Sequence, residues 1–230
     1  MLRPSPLHAV ALPRQLVRSL LVAAMTALTL LALSGTALAA SVDRIAGADR
    51  IETSVKVADR GWDQAPHVLL ATAVDYPDAI ASSSYAAALD APLLLTSPND
   101  LPDNVAAMLR SLGTDRVTIL GGTGAVDGSV ERELIGMGIL TDRIAGESRY
   151  ATAAEIAYAA TDGDISVLAL ALGARSNGHE AWPDALAAAS LAGLDVPVPT
   201  LLTEGTRLTT EAREAIEELG AERVIILGSD

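Results

Sequence analysis

Four arginines stand in a phrase that the chain writes twice. Residues 44–54 read RIAGADRIETS and residues 143–153 read RIAGESRYATA, so Arg44 and Arg50 have counterparts in Arg143 and Arg149. A guanidinium presents a planar fork of N–H donors that matches phosphate and carboxylate oxygens. One chemistry open to the four is retention of anionic groups along a polymer. A structural reading competes with it. Arg50 and Arg149 fall at the first position of a predicted helix, where a cation is mildly opposed by the helix dipole. Each then calls for a buried acid or for carbonyls of a neighbouring lobe.

Two further pairs recur. Tyr76 and Trp182 each precede a Pro-Asp step, and Asp78 and Asp184 supply its acid. The aromatics fit either a staple over a helix start or a platform on which a sugar stacks. The aspartates, in a first helical turn, suit the dipole. They could also hydrogen-bond polymer hydroxyls or a bridging cation.

Other chemistry lacks its participants. The chain has no cysteine and three histidines. His67 reads as a surface residue at a strand entry. His179 sits in GARSNGHEAW, an insertion found only in the second copy. Neither has metal-ligand spacing, and no nucleophile elbow is present. The turn Gly121-Gly122-Thr123-Gly124-Ala125-Val126 follows a predicted strand, but Asp127 stands where a dinucleotide loop needs its third glycine. No cofactor, metal site or catalytic residue is expected.

The elements that must position these residues follow from the repeat. VLLATA at 68–73 answers to VLALAL at 167–172, and PDAIA at 77–81 to PDALA at 183–187. LDAPLLLT at 89–96 answers to LDVPVPTLLT at 194–203, and RVTILGG at 116–122 to RVIILGS at 223–229. Asp49 and Ser148 are predicted helix N-caps, Glu52 completes a capping box, and Gly47 and Gly146 permit a tight turn. Ile51, Val55, Ala58 and Trp62 share one helical face. Strands are predicted at 68–73, 92–96 and 117–120, with helices at 77–89, 102–112 and 127–138. Apolar strands alternating with helices mean βα units, and hence a parallel sheet covered on both faces. Each repeat is therefore a small three-layer α/β lobe.

Composition bounds the setting. The 230 residues carry 16 basic and 29 acidic side chains, a formal charge of −13. Arg3, Arg14 and Arg18, an uncharged apolar run at 20–33 and Ala37-Leu38-Ala39 lay out a secretory signal over residues 1–39. Its removal takes three arginines and no acid, which moves the charge to −16. A net field of that sign excludes nucleic acid and anionic lipid as partners held by bulk charge, and the processed chain has no membrane segment. The processed chain divides into a first lobe at 40–142 and a second at 143–230. The second lacks a counterpart to the helix of 127–138, so its bare face is expected to meet another chain or a further lobe.

The phrase Arg-Ile-Ala-Gly-x-x-Arg, the Pro-Asp-Ala-x-Ala block, the Pro-started strand ending in Thr, and Ile-Leu-Gly-Gly before Ala125-Val126 resemble the cell wall binding repeat 2 family. The resemblance covers nearly all of 42–230, twice in the same order. It implies tandem Rossmann-like lobes on a secreted Gram-positive surface protein that attaches non-covalently to an anionic secondary wall polymer. Arg44, Arg50, Tyr76, Asp78, Arg143, Arg149, Trp182 and Asp184 are the candidate polymer contacts. Family members usually carry three repeats that pack as a trio, and two are found here. The alternatives are the anchoring part of a wall hydrolase of the amidase type, or a self-assembling surface-layer protein.

Overall fold

A computed structural model describes residues 41–161, 165–174, 182–194, 198–205 and 207–228. Residues 41–44 are exposed and carry no regular element. Residues 45–230 form one unit of two lobes.

The first lobe runs α1 (Arg50–Gly61), β1 (His67–Thr72), α2 (Pro77–Ala81), α3 (Ser83–Leu89), β2 (Leu93–Thr96), α4 (Asp103–Ser111), β3 (Arg116–Leu120), α5 (Gly128–Gly136) and β4 (Leu140–Ile144). The second runs α6 (Arg149–Ala159), β5 (Val167–Leu172), α7 (Trp182–Ala189), a 3₁₀ turn (Ser190–Gly193), β6 (Thr200–Thr203), α8 (Thr210–Glu218) and β7 (Arg223–Leu227). Both sheets are parallel, with strand orders β2-β1-β3-β4 and β6-β5-β7. The α/β lobes with parallel sheets are as the repeat predicts.

Side chains alternate across β1 as a pleat requires. Val68 and Leu70 enter one core with Val105 and Leu109 of α4 and Val130 and Leu134 of α5. Leu69 and Ala71 face the other way, into a core that the two lobes share. That core joins Leu69, Ala71, Ala81 and Leu120 of the first lobe to Ala153, Ile156, Ala171, Ala185 and Leu202 of the second. The small residues of α2, α6 and α7 let the helix backbones approach, and Ile156, fully buried, fills the space between them.

Three expectations change. The helix predicted over 77–89 is broken at Ser82. The Ser82 and Ser83 hydroxyls donate back to the carbonyls of Ala79 and Ile80 at 2.8 and 3.0 Å, a competition that bends or interrupts helices. A strand that the pattern did not announce, β4, closes the first sheet. Its residues LTDRI are mostly half-buried and partly polar, the signature of an edge and not of an apolar run. His67 is half-buried, with Nε2 2.8 Å from the Thr118 hydroxyl. Burial, then the nearby Arg116, holds its pKa below the usual range, against the pull of Asp142.

Candidate functional site

The repeated phrase is a helix entry. Asp49 accepts the Glu52 N–H at 2.8 Å, and Ser148 accepts the Ala151 N–H at 3.1 Å. Glu52 returns to the Ala48 N–H, one residue before the cap, and pairs with Lys56 at 2.9 Å. Gly47 and Gly146 each donate N–H to a threonine hydroxyl, Thr53 or Thr152, at 3.0 Å. Neither has a positive φ. Glycine is needed for close approach instead, since a Cβ would fall 2.6 Å from the Thr53 nitrogen and 2.8 Å from that of Thr152.

The arginines do a second job. Nη1 of Arg50 donates to the Ala73 carbonyl just after β1, and Nη1 of Arg149 to the Gly173 carbonyl just after β5, both at 2.8 Å. Nη1 of Arg143 donates to the Gly121 carbonyl after β3 at 2.8 Å. Each guanidinium thus satisfies a backbone acceptor that its sheet leaves open at the strand's end. The second nitrogen of Arg143 reaches Glu131 at 2.9 Å, and that of Arg149 reaches Asp75 of the first lobe at 3.2 Å. Arg44 is exposed, in a stretch with no regular element.

Between the lobes lies a cavity of about 430 Å³. Its walls are the carboxyl ends of β1 and β3, the turn 122–125, and the amino end of α6. Open α/β sheets hold ligands at this end of their strands. Asp78 forms part of the wall. It is packed on Gly121, where φ is +94° and any Cβ would collide with the carboxylate. Burial raises the Asp78 pKa above its ordinary value, opposed by Arg149 and reinforced by Asp75. Asp184 repeats the arrangement against Gly228 in the second lobe.

Of the eight candidate contacts, the cavity brings together Asp78 and Arg149. Arg50, Arg143, Tyr76, Trp182 and Asp184 stand outside its lining. Tyr76 is the half-buried residue that precedes α2, and Trp182, 45% exposed, opens α7. His179 and most of its insertion lie outside the described residues. Sequence reasoning missed Asp75 and Glu147 as lining residues. Asp75 has Ala181 as its counterpart, so a search for duplicated chemistry passed over it.

Among the described residues no group of three or more His, Cys, Asp or Glu could hold a metal ion. No described helix is long and apolar enough to cross a membrane. The fold is that of a two-lobed α/β module with a cavity between its lobes.

Two segments, 44–131 and 143–230, match the model of cell wall binding domain 2. The chain belongs to that family and is a cell wall binding module. It is 30% identical over 188 residues to the N-acetylmuramoyl-L-alanine amidase LytC of Bacillus subtilis (strain 168), covering 82% of this chain and 36% of that protein. It is 36% identical over 159 residues to protein PH0614 of Pyrococcus horikoshii, covering 67% and 45%. The amidase enhancer of B. subtilis matches at 30% identity, covering 74% of this chain and 23% of its own. The chain thus spans less than half the length of these relatives. Among solved structures, Cwp8 and Cwp6 from Clostridium difficile both superpose with a TM-score of 0.71, at 27% and 25% identity. They match 89% and 84% of this chain, and about a third of their own.

Proposed function

We propose that the module is secreted behind a signal over residues 1–39 and holds a glycan of the Gram-positive wall, an anionic secondary polymer, in the cavity between its two lobes. The observation that carries this reading is the position of the cavity, at the carboxyl ends of β1 and β3 and against the amino end of α6, in a member of a wall-binding family. Asp78 and Arg149 are the proposed contacts inside it. Arg44, Arg50, Arg143, Tyr76, Trp182 and Asp184 lie outside the cavity lining and would meet the polymer along the outer surface. The names of LytC and of the amidase enhancer favour a partnership with wall amidases, in which this chain anchors and another domain cuts. The test is sedimentation with purified sacculi. The protein should pellet with intact walls and stay in solution once the anionic polymer is stripped. Equal pelleting with both would place recognition on peptidoglycan.

A second reading concerns assembly. In the first lobe α2 packs against α6 of the second. Its counterpart α7 leaves Trp182 and Leu186 45% and 52% exposed, and Leu194 beyond it 54% exposed. An asymmetric contact of this kind leaves complementary halves unused at its two ends. A further lobe, or a second copy, would meet α7 as α6 meets α2. Sedimentation velocity across micromolar concentrations tests this, and a concentration-independent monomer counts against it.

A further inference from the structure

β3 (RVTIL) and β7 (RVIIL) occupy the same place in the two repeats and differ only at Thr118 and Ile225. β3 is covered on its far side by β4, from Arg116 beside Leu140 to Leu120 beside Ile144. β7 is the outer strand of its sheet among the described residues. Ile226 on it is 74% exposed, where its counterpart Ile119 is fully buried. Such an edge presents unpaired N–H and C=O groups to another chain. A strand that matches it is written near the start of the described residues. Residues 41–45 read SVDRI against LTDRI in β4, are exposed and carry no regular element. The arginines point the same way. Three of the four in the phrase hold strand-end carbonyls: Arg50 that of Ala73, Arg143 that of Gly121 and Arg149 that of Gly173. Arg44 is the fourth, and the carbonyl that corresponds to Gly121 is that of Gly228. The following helix repeats the pattern. Val57 of α1 is 46% exposed at the position where α6 sets the fully buried Ile156 into the shared core.

We propose that residues 41–45 of a second copy add to the edge of β7 as a parallel strand, in the register that β4 takes on β3. Ser41 to Ile45 then lie beside Arg223 to Leu227, one for one. The proposal rests on the assembly reading above and names the strand that makes the contact. β4 leads into α6, which packs against α2. Residues 41–45 lead into α1, so the same step carries α1 of the second copy, with Val57, onto α7. Val42 comes beside Val224, and the stem of Arg44 crosses Ile226. The added strand thus gains main-chain hydrogen bonds and covers apolar surface together. Arg44 donates to the Gly228 carbonyl and keeps its second nitrogen for the polymer.

The test is disulfide trapping, which the absence of native cysteine makes clean. Val42→Cys and Val224→Cys are made in separate chains, mixed at micromolar concentration and oxidised. Neighbouring residues of paired strands lie within disulfide reach, so a linked pair of unlike chains should form. Val42→Cys mixed with Ile226→Cys, two residues out of register, should link far less. Arg44→Gln, an exposed change, should keep its melting temperature and weaken association about twofold to tenfold. Equal linking in both registers, or unaltered association of Arg44→Gln, would overturn the proposal. So would a link formed at high dilution when Val42→Cys and Val224→Cys share one chain, since the strand would then close on its own sheet. Association in sedimentation without the Val42–Val224 link removes the strand and leaves the α7 contact standing, whereas a monomer at all concentrations removes both.

Discussion

Arg149 on α6 of the second lobe reaches Asp75 of the first, with Nη2 3.2 Å from Oδ2, and both residues line the cavity. The two side chains are 35% and 47% exposed. Pairs this open contribute about 0.2–1 kcal/mol and are screened by salt. A double-mutant cycle with Asp75→Asn and Arg149→Gln should give a coupling in that range at low salt and almost none at high salt. A salt-independent coupling would mean the pair is effectively buried. Arg149→Gln alone should cost more than Asp75→Asn, because it also strips the Gly173 carbonyl of its donor.

Gly121 and Gly122 are neighbours with different constraints. At Gly121 φ is +94°, and an added Cβ would collide with the Asp78 carboxylate and fall 3.0 Å from the Ala125 Cβ. Nothing lies within 4 Å of a Cβ added to Gly122. Gly121→Ala should destabilise by at least about 1–3 kcal/mol, whereas Gly122→Ala should stay within about 0.5 kcal/mol of the parent. Urea unfolding of the two variants measures both. Similar costs would show that neither the backbone conformation nor the Asp78 contact sets the requirement.

Asp78 makes stability depend on pH with a definite sign. Its pKa in the fold lies above the ordinary 3.8, so the folded state holds that proton more tightly than the unfolded one. Through this group stability falls as pH rises above 3.8. Glu52 and Asp127, whose pKa values are lowered by hydrogen bonds from Ala48 and Ser129, act in the opposite direction and lose their contribution as pH falls. A comparison of variants isolates Asp78. Asp78→Asn should melt higher than the parent at about pH 7, with the gap closing toward pH 4. A gap of constant size would mean that the carboxylate is not the origin.

Ile156 is a fully buried member of the shared core. Truncation to Ala should cost about 2–5 kcal/mol. The core spans both lobes, so the loss should appear as a single cooperative transition at a lower midpoint. Two separated transitions in calorimetry would show that the lobes unfold independently.

The sequence disclosed the fold through repetition and alternation. Val68–Leu70 and Val117–Ile119 lie in strands fully covered on both faces, and a continuous apolar run reports that condition. The caps at Asp49 and Ser148 were legible because their hydrogen bonds are local in the chain. The helix break at Ser82 was hidden, since serine also occurs in uninterrupted helices. β4 was hidden because an edge strand needs little apolar surface. At the site, duplication pointed to Arg149 and Asp78, and the structure sets both at the cavity. It could not point to Asp75, which acts once, toward a lobe about 74 residues further along the chain. Nor could it separate arginines that hold strand-end carbonyls from arginines free to hold a ligand, because that distinction depends on backbone placed by tertiary packing.

β4 has a consequence for how such modules can be recombined. Arg143 and Ile144 open the second copy of the phrase, yet both lie in the first lobe's sheet, in register with Ile119 and Leu120. The genetic period and the mechanical unit are therefore out of phase by a few residues. A crossover placed at the start of the phrase would divide one strand between two parents. One placed after Ile144 would pass an intact strand to the sheet that uses it. Chimaeras joined on the two sides of that strand should differ in expression and solubility, even though their sequences differ at only a handful of positions.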